Sequence, residues 1–234
     1  MPAAWRERLG VRRYGFHGLS HAYAARRAAE LLGGDGDGLR IVTCHLGAGA
    51  SLCAQHHGRS VDTTMGFTPL EGLVMATRSG TVDPGLVLWL IRRAGLEPGA
   101  VEEALERHSG LLALAGTADM RAVVARAAAG EAGPELALAV YTHRLRADIA
   151  AMAASLRGLD ALVFTGGVGE RSAEVRRAAA QPLAFLGLEL DDALNAAATA
   201  EIDCDVSSAA ATVRTVVVRA REDIEIARQA RAIG

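Results

Sequence analysis

The sequence contains no lysine: all 25 of its basic residues are arginine, and 27 acidic residues leave a formal net charge of −2. This balance excludes the broad basic surface expected of a non-specific nucleic-acid binder. Aromatic residues make up only 4% of the chain, which argues against a surface that stacks bases. Any phosphate held by this chain must therefore meet guanidinium groups, backbone N–H groups or a metal ion.

Cysteine and long apolar runs are also scarce. The three cysteines, Cys44, Cys53 and Cys204, are odd in number and lack a C-x-x-C pairing, so neither a disulfide framework nor a cysteine-rich zinc site is indicated. We expect a reduced, cytoplasmic location. The N-terminus has no apolar signal region, and no apolar run reaches the roughly 18 residues of a membrane span. The sequence therefore argues against secretion and membrane binding.

The chain does contain 234 residues, half of them hydrophobic, which is enough for one large or two small domains with a proper core. Three short apolar segments joined by glycine-bearing turns predict an antiparallel strand meander over 41–46, 51–57 and 59–65. Further along, apolar residues recur every three or four positions. This spacing predicts helices over 85–95, 100–108, 120–130 and 134–157, the last being the clearest.

The final third alternates strands and helices. A strand at 161–165 runs into glycines and a helix over 171–180, and a strand near Val216 precedes a closing helix. This order predicts an α/β fold with a mixed sheet flanked by helices. We expect the glycine- and aspartate-rich segment 33–38 to be a turn, and the alanine-rich stretch 193–200 to be a linker.

Glycines follow apolar segments that we predict to be strands, at 47–49, 166–169 and, more weakly, 115–117. Such turns let backbone N–H groups approach a phosphate without a side chain in the way. Each turn alone is better explained as a tight connection with no ligand. The Lys of a Walker loop and the G-x-G-x-x-G spacing are both missing, so a Rossmann oxidoreductase is not favoured.

The sequence has two histidine pairs, of which one invites a metal interpretation. His17 and His21 have the i, i+4 spacing of zinc hydrolases, but Gly18 stands where the general-base Glu would follow the first histidine. We prefer a split in which one is a hydrogen-bonded structural group and the other is available to a ligand. We expect His56 and His57 to be solvated.

Segment 65–84, MGFTPLEGLVMATRSGTVDP, is too irregular for a core element and too apolar for a solvated linker, which predicts an ordered functional loop. Within it, Arg78 lies between Thr77, Ser79 and Gly80. This setting favours a guanidinium aimed at an anion, with a surface ion pair as the alternative.

This segment closely resembles a signature of the acetate kinases, the short-chain acid kinases of the acetate and propionate type. YGFHGLSH (14–21), HLGAGAS (45–51), HSGLLALAGTADMR (108–121) and VFTGGVGERS (163–172) fit the same family in order, and VVVRAREDIEIAR (216–228) fits more loosely. The resemblance implies the RNase H-like fold shared by actin, Hsp70 and sugar kinases. It implies an interdomain segment over 1–40 and the C-terminal nucleotide-binding domain over 41–234, with the family's N-terminal domain absent.

The resemblance also assigns roles. His17 and Arg78 match the residues that stabilise the transferring phosphoryl group, Phe16 and Pro69 match the wall of the acid pocket, and Glu222 matches a residue that holds Mg²⁺. The implied partners are ATP or ADP, a short-chain carboxylic acid and a second copy of the chain, with the helix at 134–157 as a dimer surface. The residues that match the nucleotide-binding segments are His45, Leu46, Gly47, Ala48, Gly49, Asp119, Met120, Arg121, Gly167, Val168, Gly169, Glu170 and Arg171.

Two single positions and one four-residue segment depart from the family pattern. Ala48 replaces an asparagine, Arg171 replaces an asparagine after the second glycine turn, and 220–223 replaces the usual TNEE. The leading hypothesis is an enzyme that phosphorylates acetate or propionate with ATP, represented by its C-terminal half and inactive alone. The alternatives are a catalytically silent nucleotide-binding or dimerisation module, and a zinc hydrolase built on His17 and His21.

Overall fold

The computed structural model describes residues 1–34 and 38–233, and the predicted turn at 33–38 lies partly outside them. The strands in these ranges are β1 (Arg40–Leu46), β2 (Ala50–His56), β3 (Arg59–Thr63), β4 (Ala161–Thr165), β5 (Cys204–Asp205) and β6 (Arg214–Val217). They form one sheet in the order β3-β2-β1-β4-β6-β5. β1, β4 and β6 are parallel, whereas β2, β3 and β5 pair antiparallel with their neighbours. The predicted mixed sheet is therefore confirmed.

The first three strands form the predicted antiparallel meander. Leu46 lies opposite Ala50 across the turn at 47–49. His56 pairs with Arg59 across a two-residue turn, in which His57 and Gly58 have φ of 50° and 66°. Two positive-φ residues give a turn whose twist matches that of the strands it joins, so this sequence closes a tight hairpin.

The parallel strands bring distant glycine turns together. β4 lies between β1 and β6 and runs in the same direction as both. The carboxyl ends of these three strands therefore share one edge of the sheet, which is where open α/β sheets bind ligands. The turns at 47–49 and 166–169 meet at this edge, although they are far apart in sequence.

Helices cover both faces of the sheet. The α-helices are α1 (Ala3–Leu9), α2 (Gly18–Leu31), α3 (Pro84–Arg92), α4 (Pro98–Arg107), α5 (Gly110–Ala115), α6 (Met120–Ala128), α7 (Ala132–Ser155), α8 (Gly166–Arg171), α9 (Ala173–Ala180), α10 (Asp192–Ala197) and α11 (Glu222–Ile233). A 3-10 helix over Gln181–Leu186 follows α9. α5, α6, α7 and α9 pack on one side of the sheet, and α2 and α11 pack on the other.

Each face of the sheet has its own aliphatic core. Leu46 and Phe164 pack with α7 on one face, while Ile41 and Val163 pack with Ala24 of α2 on the other. Burying side chains of this size stabilises the fold by about 1.5–3 kcal/mol each. α2 thus shares a core with the sheet although it precedes residue 40, and the division of the chain at that residue stays a prediction.

One side of α7 belongs to the hydrophobic core. Ala137, Tyr141, Leu145 and Ile149 are buried at four-residue intervals and face the sheet. The three- and four-residue apolar spacing that predicted this helix is therefore the packing pattern itself. A dimer contact through its other side stays a prediction. No helix in the described ranges combines the length and apolar content that a bilayer crossing requires.

Some local predictions were wrong. The glycine turn at 115–117 follows helix α5 rather than a strand, because the short apolar run LLALA has no periodicity that separates the two. The alanine-rich stretch expected to be a linker contains α10, whose first turn is capped by the Asp191 side chain accepting from Leu194 N at 2.9 Å. α1 and β5 carry no strong sequence signal.

Candidate active site

A cavity of about 560 Å³ opens at the carboxyl edge of the sheet. Its volume is in the range of small-ligand sites. The turn after β1 contributes Gly47 and Ala48, and apolar side chains from α5, α6 and α7 form the opposite wall. Six further predicted nucleotide-binding residues line it: Asp119, Met120, Arg121, Gly167, Val168 and Arg171.

The turn after β1 is fixed by main-chain hydrogen bonds. Gly47 N donates to Gly49 O at 3.0 Å, and Ala76 N donates to Ala48 O at 3.2 Å. The second bond ties the turn to residues 64–83, which form no helix or strand, as expected for a loop. Leu46 is fully buried in the core, so its side chain does not face the cavity.

Gly49 marks the point where the two predicted catalytic side chains converge. A Cβ atom at this position would lie 3.3 Å from Arg78 Nη1 and 3.4 Å from His17 Nε2. Arg78 Nη1 donates to Pro69 O at 3.3 Å, and within the described residues no carboxylate pairs with this guanidinium. The sequence-based alternative of a surface ion pair therefore does not hold, and Arg78 keeps most of its donors for a ligand.

The predicted histidine split is seen in the structure. His21 is buried, with Nδ1 2.7 Å from Thr43 Oγ1 and Nε2 2.7 Å from Ser51 Oγ. Both ring nitrogens are occupied, so His21 cannot join His17 in a zinc site. No group of three or more His, Cys, Asp or Glu in the part of the chain the structure covers could hold a metal ion, and the zinc hydrolase hypothesis has no structural support.

His17 is half-buried and stacks on His45, with ring centroids 4.3 Å apart. Burial lowers the pKa of His17 below its usual value; the negative charge of Glu222 opposes this shift, and the positive charge of Arg78 adds to it. Burial also lowers the pKa of His45 to about 4, assisted by His17. Both rings are therefore neutral at pH 7.

The turn after β4 is held by a buried carboxylate. Glu170 Oε1 accepts from Gly166 N and from Ala220 N, both at 2.9 Å. This side chain joins the ends of β4 and β6 rather than facing the cavity. Gly169 is also buried and packs against Phe164. Of the predicted segment 167–171, Gly167, Val168 and Arg171 therefore line the cavity, while Gly169 and Glu170 support it from below.

The third predicted nucleotide-binding segment opens helix α6. Asp119 caps the helix by accepting from Arg121 N at 3.0 Å, and its carboxylate also pairs with the Arg121 guanidinium at 2.9 Å. The hydrogen bonds from Arg121 hold the pKa of Asp119 below its ordinary value. The Asp119 carboxylate is thus charged, and Asp119 lines the cavity.

The remaining predicted residues surround Arg78 and His17. Pro69 contacts Arg78 through its carbonyl, and Phe16 packs on the core beside His17. Glu222 is exposed at the first turn of α11 and is near enough to His17 to raise its pKa. Mg²⁺ in phosphate sites is usually held by one or two carboxylates and by the phosphates themselves, so a single Glu222 fits this donor set.

Sequence reasoning missed several supporting residues. Arg176 is fully buried and donates to the carbonyls of Gly169 and Glu170, at 2.8 and 3.0 Å. Ser51 links two histidines, and Tyr141 lines the cavity with a buried hydroxyl that has no partner among the described residues. Nothing in the local sequence separates these side chains from ordinary neighbours.

The sheet order, the helices on both faces and the glycine turns at the shared strand edge define an α/β domain of the actin, Hsp70 and sugar kinase class. Residues 1–228 match the family model described as the Acetokinase family. The chain belongs to that family.

Known acetate and propionate kinases are similar to nearly the whole of this chain. The chain is 51% identical over 228 residues to acetate kinase of Synechococcus sp. (strain JA-2-3B'a(2-13)), and the match covers 97% of this chain and 56% of that protein. The crystal structure of Porphyromonas gingivalis acetate kinase superposes with a TM-score of 0.95 at 38% identity, covering 100% of this chain and 58% of that one. A propionate kinase from Francisella tularensis gives 0.90 at 35% identity, covering 98% and 58%. The chain thus spans little more than half the length of these relatives.

Proposed function

We propose that this chain forms the nucleotide-binding half of an enzyme that transfers the γ-phosphoryl group of ATP to acetate or propionate. A carboxylate oxygen of the acid forms a bond to the γ-phosphorus, and the bond to the β,γ-bridging oxygen breaks. The products are an acyl phosphate and ADP. Such a transfer needs little covalent chemistry from the protein and depends on positioning and charge stabilisation.

The convergence of Arg78 and His17 beside Gly49 carries this proposal. Two N–H-bearing side chains from distant segments approach one glycine whose missing side chain leaves room for a ligand. Negative charge develops on the equatorial oxygens of the transferring group, and fixed donors in a partly buried site stabilise it far better than water does. Arg78 supplies a full positive charge there, and His17 supplies a neutral ring.

The lining of the cavity beside Gly49 favours an adenine nucleotide as the ligand. Its wall of Leu111, Val124 and Tyr141 is apolar, which suits a planar base, and Gly47 and Gly167 present backbone at the opposite side. The phosphates would then run from the glycine turns toward Arg78. Arg171 adds a cation at the same rim.

Mg²⁺ is the cofactor we propose, with Glu222 as its protein ligand; when bound, it would neutralise part of the phosphate charge. Phe16 and Pro69 are the proposed wall of the acid pocket because they flank His17 and Arg78. Acetate and propionate are both compatible with this wall. We place the enzyme in the cytoplasm, in agreement with its unpaired cysteines.

The proposed homodimer has a better candidate surface than α7. α3 has no buried residue, and Leu86, Leu88 and Trp89 are 44%, 58% and 56% exposed. An apolar helix that packs against α4 but buries none of its own residues is typical of an interface. This observation also favours the second candidate function, a silent nucleotide-binding and dimerisation module.

Calorimetric titration with Mg·ATP tests the proposal. We expect weak binding and little acetyl phosphate formation by the 234 residues alone, because they span little more than half of their relatives. Arg78→Ala removes a charged hydrogen-bond donor and should weaken binding about tenfold or more. Asp119→Ala should weaken it less. Arg59→Ala, on the exposed strand β3, is the control and should change nothing.

Three outcomes would decide against the proposed function. Unchanged affinity in both Arg78→Ala and Asp119→Ala would place the nucleotide elsewhere. Rapid acetyl phosphate formation by the isolated chain would show that no upstream segment is needed. If adding an upstream segment in frame restores binding but no turnover, the silent module is the correct interpretation.

A further inference from the structure

A chain of hydrogen bonds runs from the interior of the sheet to His17. Gln55 Nε2 lies 3.1 Å from Thr43 Oγ1, which lies 2.7 Å from His21 Nδ1. His21 Nε2 lies 2.7 Å from Ser51 Oγ, which lies 2.9 Å from His17 Nδ1. The first four side chains are buried, so water does not compete for these bonds.

The direction in which these hydrogen bonds are donated is set at the inner end of the hydrogen-bond chain, by Gln55. Gln55 Nε2 lies 3.1 Å from the carbonyl oxygen of His21 as well as from Thr43. A carbonyl oxygen can only accept, so the atom facing it must be the amide nitrogen, and Gln55 donates to Thr43 Oγ1. The single proton of Thr43 then goes to His21 Nδ1 at 2.7 Å, because its other acceptor, Cys53 O, is 3.4 Å away.

Each later proton follows from the one before. Burial, with help from His45 and His17, lowers the pKa of His21 to about 3, so this ring is neutral and has one proton. With Nδ1 accepting from Thr43, the proton of His21 is on Nε2 and is donated to Ser51 Oγ. Ser51 then has its own proton to donate, and His17 Nδ1 accepts it.

The outer end of the chain faces the site. Because Nδ1 of His17 accepts, the neutral ring carries its proton on Nε2, the atom that lies beside Gly49 and Arg78. The opposite tautomer would turn a lone pair toward the same space and would repel an anionic oxygen. A neutral histidine is therefore useful to an anion only in the tautomer that this chain enforces.

We propose that Gln55, Thr43, His21 and Ser51 form a one-way hydrogen-bond chain that fixes neutral His17 as an Nε2–H donor. The four are positioning residues, since they act through His17. Their use in catalysis rests on the proposed function, but the tautomer of His17 does not.

The tautomer can be measured directly by NMR. Long-range ¹H–¹⁵N spectra of the ¹⁵N-labelled chain at pH 7 without nucleotide distinguish protonated from bare ring nitrogens, and His17→Gln assigns the His17 signals. We expect Nε2 protonated and Nδ1 bare in both His17 and His21. A proton on Nδ1 of His17 would overturn the proposal, whether or not any variant folds.

Variants test the direction. Thr43→Val removes the donor to His21, and the Nδ1–H form of His17 should rise to about half of the population. Thr43→Ser should restore the original spectrum. Thr142→Val is the control, since among the residues that the structure describes the hydroxyl of this buried threonine bonds only to carbonyls of its own helix, α7. An unchanged His17 spectrum in Thr43→Val would refute the proposed one-way hydrogen-bond chain. Mg·ATP titrations of the same samples report on the proposed function separately, because the tautomer is recorded without ligand.

Discussion

Replacing Arg176 with methionine tests how the second glycine turn is held in place. Arg176 is fully buried in α9, and its hydrogen-bond partners within the described ranges are all neutral. Nε and Nη2 donate to the side chain and main chain of Asn195, both at 2.7 Å, and Nη1 donates to Gly169 O and Glu170 O. Methionine has a similar length but donates nothing, so four buried acceptors lose their donor.

The expected loss of stability follows from these contacts. Leaving a buried acceptor unpaired costs about 1–3 kcal/mol. Four such losses are partly offset, because burial disfavours the charged guanidinium and lowers the pKa of Arg176. By analogy with broken buried charge networks, we expect the free energy of unfolding to fall by about 3–5 kcal/mol.

The neighbouring arginine provides a matched control. Arg177 makes one ion pair with Asp192 at 2.9 Å, and the two side chains are 43% and 77% exposed. Arg177→Met should therefore cost less than about 1 kcal/mol.

Equilibrium urea unfolding measures both variants. A slope of about 2 kcal/mol per molar places the midpoint of Arg176→Met roughly 2 M below that of the wild type. A partly folded Arg176→Met protein should also bind Mg·ATP more weakly, since Gly167 and Val168 belong to the turn it holds. Equal midpoints for the two variants would refute the reasoning.

Three further predictions concern other parts of the molecule. Hydrogen bonds from Arg228, Gln229 and Arg26 lower the pKa of buried Glu225 from 4.5 to about 2. The charged form of Glu225 therefore contributes up to about 3 kcal/mol to the free energy of unfolding above pH 5, and this contribution is lost as the pH falls toward 2. Glu225→Gln should flatten the acid side of a plot of urea midpoint against pH. An acid side as steep as that of the wild type would contradict this prediction. Gly110→Ala should lower the free energy of unfolding by more than about 2 kcal/mol, because Gly110 has φ of 62° and a Cβ atom would collide with Met75 O. Gly99→Ala, in open space on α4, should cost nothing in the same urea measurement. Ala48→Asn adds an amide at the cavity rim and should tighten Mg·ATP binding about tenfold by calorimetry; no change would mean that phosphate does not reach this turn.

The sequence determined much of the local structure. The glycine spacing predicted the meander of β1–β3, and the apolar period predicted α7, because both patterns are the direct result of backbone geometry. The candidate site was predicted from the family resemblance, since the matched motifs include the residues that meet at the cavity. Short apolar runs such as 110–115 were ambiguous because a few residues do not define a period.

Only the tertiary structure decided which way the side chains face. Arg176 and Arg177 are adjacent and chemically identical, yet one is fully buried and the other is exposed, because a helix turns about 100° per residue and packing selects the buried direction. Glu170 belongs to a predicted nucleotide-binding segment, but two backbone N–H groups from separate strand ends bind its carboxylate. The sequence fixes the residue types, but buried hydrogen-bond partners come from segments far apart in the chain, so the roles of Glu170, Arg176 and His21 are decided only when the sheet and helices assemble.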